Sequence, residues 1–174
     1  RVRQLAAWFT VYVDLVKDIP PRPGVAYVLA IALVYYVRIG SRDQRKAYTA
    51  AVLKVQPETS LFRDLPDILN AYECDFAKRL SIPKGVCLND ALVENVFVAF
   101  VCTQCKIPVI LIGKPGYSKS LSVNLLQDAL AGGRVEDPLL QKMKFFMCYT
   151  YQGSQQATSE GILRTFHKAF SSLR

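Results

Sequence analysis

The sequence is poor in the residues that build most catalytic and metal sites. It has one histidine, His167, in 174 residues. His167 lies late in the last apolar-periodic stretch, beside Lys168 and far in sequence from any acid–base pair. It reads as a helix-end surface residue and not as a catalytic base. The five cysteines cannot all pair internally. Cys102 and Cys105 form a C-x-x-C, but no second C-x-x-C or H-x-x-x-H follows, and Cys74, Cys87 and Cys148 sit at no zinc-ligand spacing. The pair is most simply two small buried side chains on an apolar helix. The usage fits a reducing, cytoplasmic compartment.

Long apolar runs are also missing. The longest, Val25 to Val37, stops at Arg38 and falls short of a membrane span, so it reads as a buried helix. There is no initiator methionine, signal peptide or small-residue cleavage site, and residue 1 is expected to be a cut inside a longer chain. The net charge of +8 is uneven, with the basic excess at both ends. No stretch interleaves basic and aromatic residues as a nucleic-acid groove would, so no nucleic-acid partner is expected. A fragment lacking its acidic surroundings accounts for the charge. No internal repeat or low-complexity tract is present.

What the sequence has is apolar bulk, 51% of the chain, enough for a core. Its length suits one domain or one and a half. Leu5, Trp8, Phe9, Tyr12, Val13 and Val16 recur at helical spacing up to Pro20–Pro21. Val25 to Tyr36 reads as a second helix and Arg42 to Val55 as a third. A fourth starts near Asp64–Pro66 with the stripe Leu65, Ile68, Leu69, Tyr72, Phe76 and Leu80, and Ile82 to Gly85 closes it. The character then changes. Asn89 caps a helix with the stripe Val93, Val96, Phe97, Phe100 and Val101. The apolar run 108–112 suits a strand buried on both faces. Leu121 to Leu130 reads as helix, ended by Gly132–Gly133. Phe145 to Tyr151 is a second strand candidate. Thr158 or Ser159 caps a last helix over Glu160 to Phe170. The order after residue 89 predicts an α/β class: a helical segment, 1–88, followed by the first half of a P-loop parallel-sheet domain, 89–174.

Between the first strand candidate and the next helix stands "GKPGYSKS", residues 113–120. The phosphate-loop pattern is G-x-x-x-x-G-K-[ST], and only Ser118, in place of the last glycine, departs from it. Gly113 lets the chain leave the strand in a conformation that a side chain would hinder. Gly116 lets backbone N–H groups point at phosphate oxygens. Lys119 brings a positive charge to the outer phosphates, and Ser120 offers a hydroxyl to Mg²⁺. The following helix adds its N-terminal N–H groups and dipole. Ser118 fits without strain if its φ is negative. The expected ligand is ATP with Mg²⁺, held by Gly113, Lys114, Pro115, Gly116, Tyr117, Ser118, Lys119, Ser120 and Leu121, with Ser120 as the metal contact.

The stretch "ALVENVFVAFVCTQCKIPVILIGKPGYSKSLSVNLL" resembles the mysterin family, giant dynein-like AAA+ proteins that also carry a RING domain and act as E3 ubiquitin ligases. One AAA+ module of that family has a segment close to "ALKENVF", then "RIP", then a GKPGSSKS loop with serine in the same place. Downstream, "YTYQGSQQATSEGILRTFHKAF" is similar to the family's stretch around "STPEGI": Thr158, Glu160, Gly161, Ile162 and Phe166 match, and Ser159 replaces a proline. Upstream, "AIALVYYVRI" is similar to a helix ending the preceding module. The resemblance is strong over 89–166 and looser over 24–88.

The resemblance implies that 89–174 opens a large AAA+ subdomain and that 1–88 is the helical lid of a preceding module or a set of linker helices. It implies neighbouring AAA+ modules of the same chain and the ubiquitin machinery as partners. It also implies an ATP hydrolase and ubiquitin transferase in the parent, with this piece alone inactive. Such modules need an acidic pair on the next strand. No adjacent acidic residues after Lys119 sit on an apolar strand, because Glu136–Asp137 lies in a loop beside Pro138. No RING cysteine pattern is present. A module that holds ATP without hydrolysing it, or an unrelated P-loop NTPase, stays open. Other residues carry two readings each. Lys114 is a phosphate contact or a solvated lysine. Tyr117 stacks on a base or covers the loop. Leu92 and Asn95 border an adenine pocket or pack helix to sheet. Glu160 touches a neighbouring module or favours its helix end.

Overall fold

The computed structural model describes residues 1–55, 60–116, 118–131 and 137–172. The predicted ending of a helix at Gly132–Gly133 lies outside the described residues. The helices are α1 Val2–Leu15, α2 Val25–Ile31, α3 Arg42–Val55, α4 Ser60–Arg63, α5 Leu65–Lys78, α6 Asp90–Gln104, α7 Lys119–Leu130 and α8 Ser159–Ser171. A π turn, Ala32–Tyr36, extends α2, closed by the Val37 N–H on the Ala32 carbonyl at 3.0 Å. A 3₁₀ turn covers Leu140–Lys142.

The helical stripes read from the sequence become the core. Phe9, Tyr12, Leu29, Leu65, Tyr72, Phe76, Leu92, Phe97 and Phe100 are all but fully buried. Trp8 of α1 meets Phe100 of α6 edge-on with centroids 5.6 Å apart, and Phe76 of α5 lies near Phe97 at 5.9 Å. Aromatic pairs add about 0.5–1.5 kcal/mol each beyond their buried area. The N-terminal helices α1, α2 and α5 therefore share one hydrophobic cluster with α6 and α7.

Two arginines tie the layers together. Arg45 of α3 grips both oxygens of Glu94 on α6 at 2.7 and 2.9 Å. It also donates to the carbonyls of Ile39 and Val37 and sits over the Tyr36 ring at 5.0 Å. Arg79, just past α5, takes Asp75 through two bonds at 3.0 and 2.9 Å, Asp137 at 3.0 Å and Asp18 at 3.2 Å. The hydrogen bonds to Asp75 are the main cause that raises the Arg79 pKa.

The predicted parallel sheet does not form. Among the described residues there is no strand, and neither the 108–112 run nor Phe145–Tyr151 pairs with a neighbour. A strand exists only through ladder hydrogen bonds to another strand, and apolarity alone does not supply them. Ile110 is 84% exposed and Ile112 is 92% exposed, so the faces that a buried strand would cover stand open. The second segment is tied elsewhere: the Phe146 N–H donates to the Leu130 carbonyl of α7 at 3.1 Å. The described chain is a helical assembly with irregular connections, which corrects the α/β expectation.

The exit from α6 sets where the 113–120 loop begins. Lys106 takes a left-handed φ of 55°. The Ile107 N–H reaches the Cys102 carbonyl at 2.8 Å and the Lys106 N–H the Thr103 carbonyl at 3.1 Å, a Schellman turn. The other terminal carbonyls are also met. Lys144 Nζ donates to Gln104 O at 2.8 Å and Gln4 Nε2 donates to Cys105 O at 2.5 Å. All four C-terminal carbonyls of this helix end thus have partners, which fixes the direction of the departing chain.

Candidate functional site

The segment 107–112 leads into a turn at Pro115–Gly116. Gly116 has φ of 86°, and nothing lies within 4 Å of where a Cβ would stand, so backbone shape rather than crowding calls for glycine. Tyr117 lies outside the described residues. Ser118 is the residue before α7 and has φ of 55° and ψ of 20°. The condition set for a strain-free serine is not met. The pattern's last glycine falls where the backbone is left-handed, and serine carries there a steric cost of about 1–2 kcal/mol.

Ser118 makes no side-chain cap on α7, and the first turn of α7 holds no acidic residue. The N–H groups at that end therefore face the loop with neither a capping oxygen nor a carboxylate from the helix itself, which suits an anion. Lys119 is half-buried and folds back over the loop. Its Nζ donates to the Gly113 carbonyl at 2.7 Å and to the Lys114 carbonyl at 2.8 Å. An ammonium has three donors, so one remains for a ligand. Lys114, Pro115 and Ser120 are exposed and Leu121 is half-buried. The structure thus brings Gly113, Lys114 and Lys119 together, with Ser120 beside Lys119 on the first turn.

Ser122 was not singled out by the sequence reading. It is fully buried, and its Oγ donates to the Ser118 carbonyl at 2.8 Å, the same oxygen that takes the Ser122 N–H at 2.9 Å. It anchors the left-handed residue from below. The signal was a serine among leucines, four residues after Ser118. Gln104 was also missed. Buried at the end of α6, its amide donates to Lys144 O at 3.0 Å and accepts from Lys144 N at 2.8 Å, imitating a backbone pair.

The remaining candidates lie outside the 113–120 loop. Leu92 is fully buried in the core, while Asn95 is half-buried. Cys102 and Cys105 are buried free thiols, and burial pushes both up, Cys105 to about 11. Neither is a thiolate at neutral pH. No group of three or more metal-ligating side chains occurs among the described residues. His167 is exposed on α8. The Thr158 hydroxyl accepts from the Gly161 N–H at 3.2 Å, and Glu160 pairs with Arg164 one turn on. Glu136 lies outside the described residues. Burial pushes Asp137 up, but hydrogen bonds from the Leu140 N–H, Arg79 and the Leu139 N–H outweigh it and hold the carboxyl below its usual range. Asp137 is spent on that loop rather than free to hold a metal.

The family model described as the RNF213 AAA domain matches residues 85–174, the part that carries this loop. The chain belongs to the RNF213 AAA domain family. The mysterin resemblance read from the loop and the "EGI" stretch is the same relationship. The E3 ubiquitin-protein ligase RNF213 of Homo sapiens is 34% identical over 142 residues, which is 81% of this chain and 3% of that protein. RNF213 of Mus musculus is 31% identical over 140 residues, 80% of this chain and 3% of that protein. The rnf213-beta ligase of Danio rerio shows the same 31% over 140 residues. This RNF213-family chain spans about 3% of the length of these curated relatives. Among its described residues no helix is long and apolar enough to cross a membrane.

Proposed function

We propose that the 113–120 loop binds ATP with Mg²⁺, and that it does so as part of an AAA module in a giant E3 ubiquitin ligase. The observation that carries the reading is the closure of the loop by Lys119 onto the Gly113 and Lys114 carbonyls, at an α7 end that Ser118 leaves without a side-chain cap. The residues fit the group. Gly116 and Ser118 both take left-handed backbone, as a loop that turns N–H groups inward requires. Lys119 keeps an N–H donor for an outer phosphate, and Ser120, whose side chain is exposed, would offer its hydroxyl to the metal.

When bound, ATP supplies the phosphoryl bond whose cleavage drives motion in AAA+ machines. The chain's own residues bind and orient it. Lys114 and Lys119 neutralise charge, and the α7 dipole favours the anion. By analogy with the relatives, neighbouring AAA modules of the same polypeptide and the ubiquitin machinery are the partners, in the cytoplasm.

A second reading is a module that holds ATP without turning it over. Asp137 is committed to Arg79 and to the Leu139 and Leu140 N–H groups and is not free to hold the metal. Phosphoryl transfer needs a metal-holding acid and a positioned water.

Equilibrium dialysis of the 174-residue chain against ATP, with Mg²⁺ or with chelator, tests the proposal. Saturable, Mg²⁺-strengthened uptake without steady phosphate release is the expected result. No uptake at millimolar ATP overturns the nucleotide site. Steady phosphate release that follows the purified chain overturns the holding reading.

A further inference from the structure

A groove of about 410 Å³ between α5 and α6 is lined in part by Tyr36 and Arg45. Leu69, Leu88 and Val93 give it an apolar lining, and Asn70 and Glu94 give it polar walls. Glu73 lines it as well. This carboxyl is 93% buried (7% exposed), and its Oε1 has no hydrogen-bond partner.

The nearest cation does not serve it. All three guanidinium nitrogens of Arg45 are engaged, Nε by Ile39 O, Nη1 by Glu94 and Nη2 by Glu94 and Val37 O. Lys78 borders the groove from α5 but is exposed and forms no ion pair with Glu73. The remaining ionisable groups that line the groove with Glu73 are Tyr36 on the π turn, Cys74 on its own helix, and Asp90 and Glu94 on α6. The carboxyls outnumber the cations, and one buried acceptor is left open. An orphaned buried acceptor is costly, and a ligand that brings N–H donors and positive charge removes the cost.

We propose that this groove binds an organic cation, a guanidinium or primary ammonium head on an aliphatic stem, with the Glu73 carboxyl as the acceptor of its N–H. The stem lies along Leu69 and Val93, and the head enters beside Glu94. None of these residues belongs to the 113–120 loop, so the proposal does not rest on the function proposed above.

Burial, reinforced by the charge of Glu94, pushes the Glu73 carboxyl up to about 8. A cation bound at neutral pH must therefore expel the Glu73 proton, and binding strengthens as pH rises past that value.

Agmatine is titrated by calorimetry into the 174-residue chain at pH 6, 7 and 8.5, beside E73Q. The expected result is saturable binding at pH 8.5, at least tenfold weaker at pH 6. At pH 7 a buffer-dependent heat should report proton release. E73Q should bind at least tenfold more weakly while keeping its helical circular dichroism. In the wild-type chain, agmatine should also shift the Glu73 carboxyl ¹³C resonance, a readout that needs no variant. A blocked pentapeptide with a central arginine forms the second arm. Tighter peptide binding assigns the cation to a protein side chain, and tighter agmatine binding to a free small molecule. Absence of binding by both probes at millimolar concentration, or agmatine affinity unchanged in E73Q, overturns the proposal.

Discussion

Phe76 on α5 stacks on Phe100 on α6 with ring centroids 4.1 Å apart and planes 19° apart. Phe100 also meets Trp8 and Tyr12 of α1, so it sits where the N-terminal helices join the family-matched region. Phe100→Ala should cost about 3–5 kcal/mol, the range for emptying a buried phenylalanine site. Urea denaturation measures it. A loss under about 1 kcal/mol would mean that the two parts do not share a core.

Arg79 is the hub for Asp18, Asp75 and Asp137, and the side chain of Asp75 is only 8% exposed. Arg79→Ala leaves that carboxylate buried without its cation, at a cost of about 3 kcal/mol. Adding Asp75→Ala should recover part of the loss. A double variant no more stable than the single one would show that the hub's contribution lies elsewhere.

Glu73 gives the stability a pH dependence of definite sign. Its folded-state pKa is raised, to about 8 from 4.5, so the folded chain holds a proton that the unfolded chain releases. The stabilisation is fully present below pH 4.5 and is lost as pH rises through 8. Its size is on the order of a few kcal/mol. Unfolding free energies at pH 5 and 8.5 should differ more in the wild type than in Glu73→Gln. Equal pH slopes in both proteins would contradict the burial of this carboxyl.

Much of the helical layout was legible because helices announce themselves through period and caps. Asn89 accepts from the Leu92 N–H at 2.8 Å and Thr158 from the Gly161 N–H, as a cap at each position requires. Arg42 to Val55 is a helix with the predicted ends. The strands were not legible. An apolar run reports a preference for burial, while a strand needs a ladder partner, and Ile110 and Ile112 have found neither. The short α4 carries too few residues for a period to show. The 113–120 segment was legible as a motif, but the left-handed φ of Ser118 was not, because the identity of a residue does not fix its φ. Gln104 and Ser122 were missed because their partners are backbone atoms of Lys144 and Ser118.

Ser118→Gly removes a side chain from left-handed backbone. Glycine also loosens the unfolded chain, by roughly 0.5–1 kcal/mol, so the gain is the difference between the two effects. The melting temperature should hold or rise by a few degrees, and ATP affinity should change less than tenfold. A clear fall in melting temperature would contradict the left-handed assignment. ATP binding seen only in the variant would mean that the natural loop is closed to nucleotide.

The loop's central residue is Lys119, whose Nζ bonds the Gly113 and Lys114 carbonyls and is proposed to meet the outer phosphates. Calorimetric titration of ATP–Mg²⁺ into the wild-type chain and into Lys119→Ala compares them directly. The account predicts binding by the wild type and an affinity at least tenfold lower in the variant, about 1.4 kcal/mol, with the helical fold retained. Equal affinities in the two proteins, or no binding by the wild type, would contradict it.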